Sequence, residues 1–369
     1  MTYYIIIILF YFFCAFLEVG YPISNRWRAI YTFILVLPMW ALAAFRSVAI
    51  GNDTIMYEYA YNDVLWQDTV GQLLGGGYRF EQGYLLLCWI CSRLGLSFFQ
   101  FQIVLESLIY LSFASVIKKY SINVAFTCLW FFTNDWGGTV NVLRMYCAMA
   151  ILVHTIPFIR KRKIIPFLLL VVLAFFFHRS AILFVMLYPL CMVKNDRRLI
   201  VLILLMSAII AWLGTRFFSW ATDTVGVYEG YLESGYFEGI NTMAIILELL
   251  IVVIMILILK NVGLFKFHHY EASDGKAVIT LEHVYTMVLF MVLALSIVGL
   301  SNTIMSRIIG YFDVFFMFVF AEALTLVNKK NRYSLFLILS AYTIARFFII
   351  LIYRPNWNHL VPYEWGFQF

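Results

Sequence analysis

Charge is what this sequence has least of. Asp, Glu, Lys and Arg make up 12% of its 369 residues, about half the share in soluble domains. With 64% of the chain hydrophobic, an ordinary soluble enzyme is excluded, and no polar stretch is long enough to coat a separate soluble domain. The signatures of metal and phosphate chemistry are missing too: there is no DxD pair, no G-x-x-x-x-G-K-[ST] loop and no HExxH. Six cysteines (Cys14, Cys88, Cys91, Cys128, Cys147, Cys191) lie mostly inside apolar runs, without zinc-site spacing or a βαβ setting for the Cys88/Cys91 pair. They read as packing residues. The first 20 residues lack a basic n-region and an A-x-A site, so they read as a retained helix rather than a cleaved signal. No cofactor, metal or nucleic acid is expected.

What is present is apolar sequence in long runs, at about 3–21, 29–45, 98–117, 121–136, 143–159, 164–178, 180–193, 199–217, 241–259, 278–300, 308–327 and 333–353. At about 20 residues per crossing, these predict an all-α, polytopic membrane protein with about 12 transmembrane helices, a single integral membrane domain over 1–369. Between alternate pairs of runs sit Arg26 and Arg28, Lys118 and Lys119, Arg160 to Lys163, Lys194 with Arg197 and Arg198, Lys260 with Lys266 and Lys276, and Lys329, Lys330 and Arg332. The positive-inside rule makes those six loops cytoplasmic. Parity then puts both termini outside, with outer loops at 46–97 and 218–240. All ten lysines fall inside, and the nine remaining basic residues, among them Arg46, Arg144, Arg179, Arg216 and Arg307, are arginines.

Two segments are read through this parity. Residues 81–96 become an outer amphipathic helix rather than a crossing. Residues 164–193, basic at both ends, cross twice as short, re-entrant-like helices joined by a His178-Arg179-Ser180 turn sunk below the outer surface.

A planar guanidinium suits bidentate contact with phosphate oxygens, so an outer set made only of arginines points to an anionic ligand. The alternative is that each arginine pairs with a carboxylate such as Asp135, Asp313 or Glu248, or snorkels to the interface. The outer segments also mix carboxylates with tyrosines and tryptophans, a combination suited to sugar rings. The proton-accepting candidates are Asp53, beside Gly51 and Asn52, and His178, in its partly desolvated turn. Any phosphate chemistry is expected to be metal-independent, with arginines stabilising a departing diphosphate.

Five stretches, in order, carry a resemblance: FRSVAIGNDTIMYEYAY, FEQGYLLLCWICSRLG, VNVLRMYCAMAI, LAFFFHRSAIL and SRIIGYF, spanning Phe45 to Tyr311. Together they resemble the EpsG family of Wzy-type polysaccharide polymerases. Two positions depart from its pattern, Asn52 and Arg179. The resemblance implies a GT-C-like glycosyltransferase at the outer face of a bacterial cytoplasmic (inner) membrane. Such a protein polymerises O-antigen or exopolysaccharide, transferring a glycan from an undecaprenyl diphosphate donor onto an acceptor that is another lipid-linked repeat unit. A chain-length regulator is a further implied partner. Carried over residue by residue, the matching positions are Arg46, Asp53, Tyr57, Glu81, Arg144, His178, Arg307 and Tyr311; Arg179 and Arg216 join them as neighbours of the same outer cavity. The rival readings are a flippase for the lipid-linked oligosaccharide, and an O-antigen ligase or acyltransferase.

Overall fold

The computed structural model describes residues 1–193, 197–213, 249–254, 256–257, 270–273, 276–299 and 305–367. These residues are mostly helical; the strands among them are Tyr270–Ser273 and Lys276–Ile279, paired antiparallel. Among the described residues, five helices are long and apolar enough to cross a membrane: Thr2–Gly20, Phe98–Tyr120, the composite Leu143–Arg160, Leu281–Gly299 and Lys329–Tyr353. Shorter apolar helices include Arg28–Ala44, Val124–Asn134 and Ile164–Phe175. The chain is a multi-pass membrane protein.

Several expected runs are subdivided. The run 121–136 becomes Val124–Asn134 followed by Trp136–Asn141, and 308–327 becomes Met305–Asp313 and Phe316–Leu326. The second half of the expected double crossing is a 3-10 helix, Arg179–Met186, leading into Leu187–Met192. Hydropathy runs straight through such breaks, because side chains and carbonyls of neighbouring helices satisfy the freed backbone groups. Most of run 241–259 and all of the second outer loop, 218–240, lie outside the described residues.

We label α1 (Thr2–Gly20), α2 (Arg28–Ala44), α3 (Thr54–Val64), α4 (Val70–Gly75), α5 (Gln82–Arg93), α6 (Phe98–Tyr120), α7 (Val124–Asn134), α8 (Trp136–Asn141), α9 (Leu143–Leu152), α10 (Ile156–Arg160) and α11 (Ile164–Phe175). One compact unit comprises Met1–His154, Leu170–Ile182 and Met317–Phe369; the other comprises Thr155–Leu169 and Leu183–Phe316.

In the first unit, helix contact brings no hydrophobic gain in lipid, so close packing and buried polar bonds hold the helices. Helices α2 and α6 run antiparallel: Arg28 Nε donates to the Lys118 carbonyl (2.6 Å), Trp40 Nε1 to Ser107 Oγ (3.0 Å), and Gln102 Nε2 to the Ala44 and Arg46 carbonyls (3.1 and 3.0 Å). At the start of α7 the Glu18 carboxylate takes the orphan N–H groups of Val124 and Ala125 (both 2.9 Å), and Asn123 caps Phe126 (2.8 Å). Pro38 interrupts the ladder of α2, and on either side of it carbonyls also receive side chains, Leu35 from Tyr11 (2.7 Å) and Met39 from Trp136 (3.0 Å). These contacts put the end of α1 and the starts of α2 and α7 at the same pole as the end of α6. Arg26, Arg28, Lys118 and Lys119 therefore gather there, as the loop reading expects.

In the second unit, Leu281–Gly299 packs against Met305–Asp313, Arg197–Leu213 and Leu187–Met192. His283 Nε2 lies 3.1 Å from the Cys191 carbonyl, Arg160 Nε donates to Ile279 (2.9 Å), and Phe184 stacks on Phe312 with centroids 5.3 Å apart.

Candidate functional site

The pole of the first unit opposite those lysines is built around the loop that follows α2. The segment 358–366 straps this loop down. Ser47 N–H donates to the Glu364 carbonyl (2.9 Å), Gly51 N–H to Asn358 (3.1 Å), and Gly366 N–H to Phe45 (2.8 Å). Gly51 has φ +89°, and a Cβ there would sit 2.3 Å from the Val140 carbonyl, so only glycine fits. Asn358 Oδ1 accepts from Asn141 Nδ2 (2.8 Å), whose own Oδ1 accepts the N–H of Asp53 (3.2 Å). Asp53 is thereby set at the entry to α3, half-buried.

From α3, Tyr57 points inward and is fully buried. Burial raises its hydroxyl; the Arg144 charge opposes this and the Asp53 charge adds to it, and the phenol is pushed up to about 12. The Arg144 guanidinium lies over two rings, Phe80 at 4.6 Å and Tyr57 at 5.8 Å.

Glu81 is the centre of the arrangement. It occupies the N-cap position of α5 yet makes no capping hydrogen bond, because its carboxylate turns to side chains from distant segments. Oε2 accepts from Arg144 Nη1; Oε1 lies 3.0 Å from His178 Nδ1 and accepts the Arg179 backbone N–H at 3.2 Å. Burial disfavours the charged carboxylate, but the His178 hydrogen bond and the Arg144 charge outweigh it and hold Glu81 down to about 2. An ionised carboxylate can only accept, so Nδ1 of His178 is the donor. That fixes the tautomer: Nε2 of neutral His178 carries the lone pair.

The meeting of α5 with the end of α11 depends on Gly83. Its N–H donates to the Phe176 carbonyl at 2.8 Å, and a Cβ on it would stand 2.7 Å from that oxygen. Two residues past Phe176 comes His178, which this contact delivers to Glu81. Beside the junction a cavity of about 320 Å³ is lined by residues of α4, α5, α11 and Arg179.

The structure thus brings together Tyr57, Glu81, Arg144, His178 and Arg179, with Asp53 at the start of the same helix as Tyr57. Arg46 is elsewhere: its side chain is fully buried and paired with Glu106 at 2.5 Å, with Nη1 also on the Ala43 carbonyl. Arg307 lies in Met305–Asp313 and Tyr311 is buried in that helix, both in the second unit; Arg216 lies outside the described residues. Arg346 donates to Asn134 Oδ1 at 2.5 Å.

Sequence reasoning gave no role to Phe80, Gly83, Glu106, Asn141 or Asn358. Phe80, Gly83 and Asn141 sit inside stretches already singled out; Glu106 and Asn358 carry no local signal. Among the described residues no three His, Cys, Asp or Glu side chains gather as metal ligands would. Chemically, an imidazole held by a carboxylate can accept a proton, and the adjoining guanidinium can hold an anion.

No curated protein and no solved structure matches the chain. The profile of the EpsG family matches residues 29–365.

Proposed function

The chain belongs to the EpsG family of Wzy-type polymerase-like membrane proteins, and we propose that it is a metal-independent glycan polymerase acting at the outer face of the bacterial cytoplasmic membrane. In this reading the protein is GT-C-like, crosses the membrane twelve times with its lysine-rich loops in the cytosol, and turns the Glu81 junction outward. The donor is a glycan on undecaprenyl diphosphate, and the acceptor is the terminal sugar of another lipid-linked repeat unit.

One observation carries the proposal: a single ionised carboxylate, Glu81, orients the His178 imidazole and the Arg144 guanidinium while Arg179 lines the adjoining cavity. His178 Nε2 takes the proton of the acceptor hydroxyl as that oxygen attacks the anomeric carbon. Glu81 stabilises the imidazolium that forms, as the acid of a catalytic triad does. Arginine stabilises the charge developing on the departing diphosphate, and holding two long substrates in register supplies rate through proximity. Asp53 stands at the start of the helix that carries Tyr57, and its charge reaches Tyr57; it serves the acceptor sugar by hydrogen bonding.

The test is deletion in the native host with complementation by His178→Asn. We expect the deletion to leave single repeat units on the carrier, wild type to restore the polymer ladder, and the variant, at normal protein level, to leave single repeats. A full ladder from His178→Asn would overturn the proposal. Loss of externally exposed repeats in the deletion would identify a flippase, and intact but unattached polymer a ligase.

A further inference from the structure

Far from Glu81, helices α2 and α6 carry exposed hydrocarbon on one shared face. Ile30, Phe33, Ile34 and Leu37 recur at helical spacing along α2, and Leu108 and Leu111 one turn apart along α6. Leu37 precedes Trp40 by one turn and Leu111 follows Ser107 by one turn. Trp40 Nε1 donates to Ser107 Oγ (3.0 Å), so the two stripes flank that bond on the same side of the helix pair. Ser107 gives its own proton to the Ile103 carbonyl (2.7 Å), so both donors on the floor between the stripes are used. At 1.5 Å per residue the rise from Ser107 to Lys118 is about 16 Å, close to half of a hydrocarbon core of roughly 30 Å. The floor is therefore one leaflet deep.

Both stripes end in cations. Lys118 and Lys119 are exposed in the last turn of α6, and Arg26 lies over the exposed ring of Trp27 (5.4 Å to its centroid) just before α2. The end of α6 does not consume its lysines, because the Lys118 carbonyl already accepts from Arg28 Nε (2.6 Å). Among the described residues no carboxylate pairs with these three cations. Glu18, at the same pole, is buried and gives both oxygens to the N–H groups of Val124 and Ala125. A free phosphate or an acidic peptide would meet the cations and leave the hydrocarbon uncovered. A zwitterionic lipid would cover the hydrocarbon and bring an ammonium group against three cations. The complement is a phospholipid whose headgroup carries net negative charge.

We infer that this face of α2 and α6 is a selective site for an anionic phospholipid. Its phosphate lies among Lys118, Lys119 and Arg26, and its acyl chain runs along the floor between the stripes towards the Trp40–Ser107 bond. The site is independent of the chemistry at Glu81. Bound there, the lipid seals α2 against α6 from the outside, and because it binds only the folded protein it raises the melting temperature.

The experiment uses the full-length protein in neutral detergent micelles, with phosphatidylglycerol and phosphatidylcholine of identical acyl chains as probes. Native mass spectrometry reads retained lipid, and thermal unfolding reads stabilisation. Wild type is expected to bind phosphatidylglycerol at least tenfold more tightly than phosphatidylcholine and to melt higher in its presence. Lys118→Gln with Lys119→Gln should lose that preference, while Lys118→Arg with Lys119→Arg, which keeps both charges, should retain it and so guards against loss of fold. Leu111→Trp, which fills the floor, should weaken phosphatidylglycerol at least tenfold. Lys329→Gln with Lys330→Gln removes two exposed cations from the start of the Lys329–Tyr353 helix, outside the groove, and should leave the preference intact. Equal affinity of wild type for the two lipids would overturn the inference, as would an unchanged preference in the Lys118/Lys119 glutamine variant or undiminished binding by Leu111→Trp. An equal loss in the Lys329/Lys330 variant would also overturn it, by marking a diffuse charged surface in place of a site.

Discussion

Glu81 and His178 are separated by 97 residues in the chain and by 3.0 Å in the fold, carboxylate Oε1 to imidazole Nδ1. The bond links the N-cap of α5 to the turn that ends α11, and it is the contact on which the chemistry proposed above depends.

The first prediction concerns pH. Glu81 is held below its ordinary value of 4.5, to about 2, so its ionised form is favoured by folding. For a depressed carboxylate the stabilisation is complete above the unfolded value and disappears as pH falls through the folded one. The stability gap between wild type and Glu81→Gln should therefore be constant from pH 7 to about 5 and shrink as pH falls from about 4.5 towards 2. Thermal unfolding in detergent across that range measures it; a gap that grows on acidification would contradict the pairing.

Arg144 lies over the Phe80 and Tyr57 rings while its Nη1 bonds Glu81, a geometry that suits a planar guanidinium. A lysine keeps the charge and loses the ring contacts of the planar group. Arg144→Lys should lower polymerisation by roughly tenfold or more, as removing one charge-stabilising donor commonly does, at undiminished protein level. Phe80→Leu should show a smaller loss of the same kind, read as ladder length at matched expression.

Gly83→Ala should disable the protein more than any other alanine on α5. The new Cβ would stand 2.7 Å from the Phe176 carbonyl, and relief requires α5 and the end of α11 to separate. Overpacking of this kind costs about 1–3 kcal/mol. The expected result is a lower melting temperature together with loss of polymer, because His178 moves with Phe176.

Arg46 and Glu106 form a buried pair with both side chains at 0% exposure. Glu106→Ala strands a buried guanidinium, and breaking such a pair costs about 3–5 kcal/mol. The double change Arg46→Met with Glu106→Leu should recover most of that stability, since replacing a whole buried pair by apolar side chains is often neutral. Denaturant titration of the three variants tests this; full activity in the double variant would assign Arg46 to the scaffold.

Much of this protein was readable without its structure. Low charge and long apolar runs required a multi-pass helical bundle, because a backbone in lipid must satisfy its own hydrogen bonds. The gathering of Arg26, Arg28, Lys118 and Lys119 at one pole of the first unit, away from Glu81 and His178, was also legible from the loops between apolar runs. The helix after Glu81 and the break at His178 fell where the parity of the basic loops put them. What only the tertiary structure decided was pairing. The sequence suggested a carboxylate such as Asp135, Asp313 or Glu248 as the partner of Arg144, whereas Arg144 pairs with Glu81 across 63 residues; Arg46 pairs with Glu106 across 60. Hydropathy reports how far each segment prefers lipid to water, a property of that segment alone. Which carboxylate meets which guanidinium depends on how helices far apart in sequence cross and on where a glycine lets them touch.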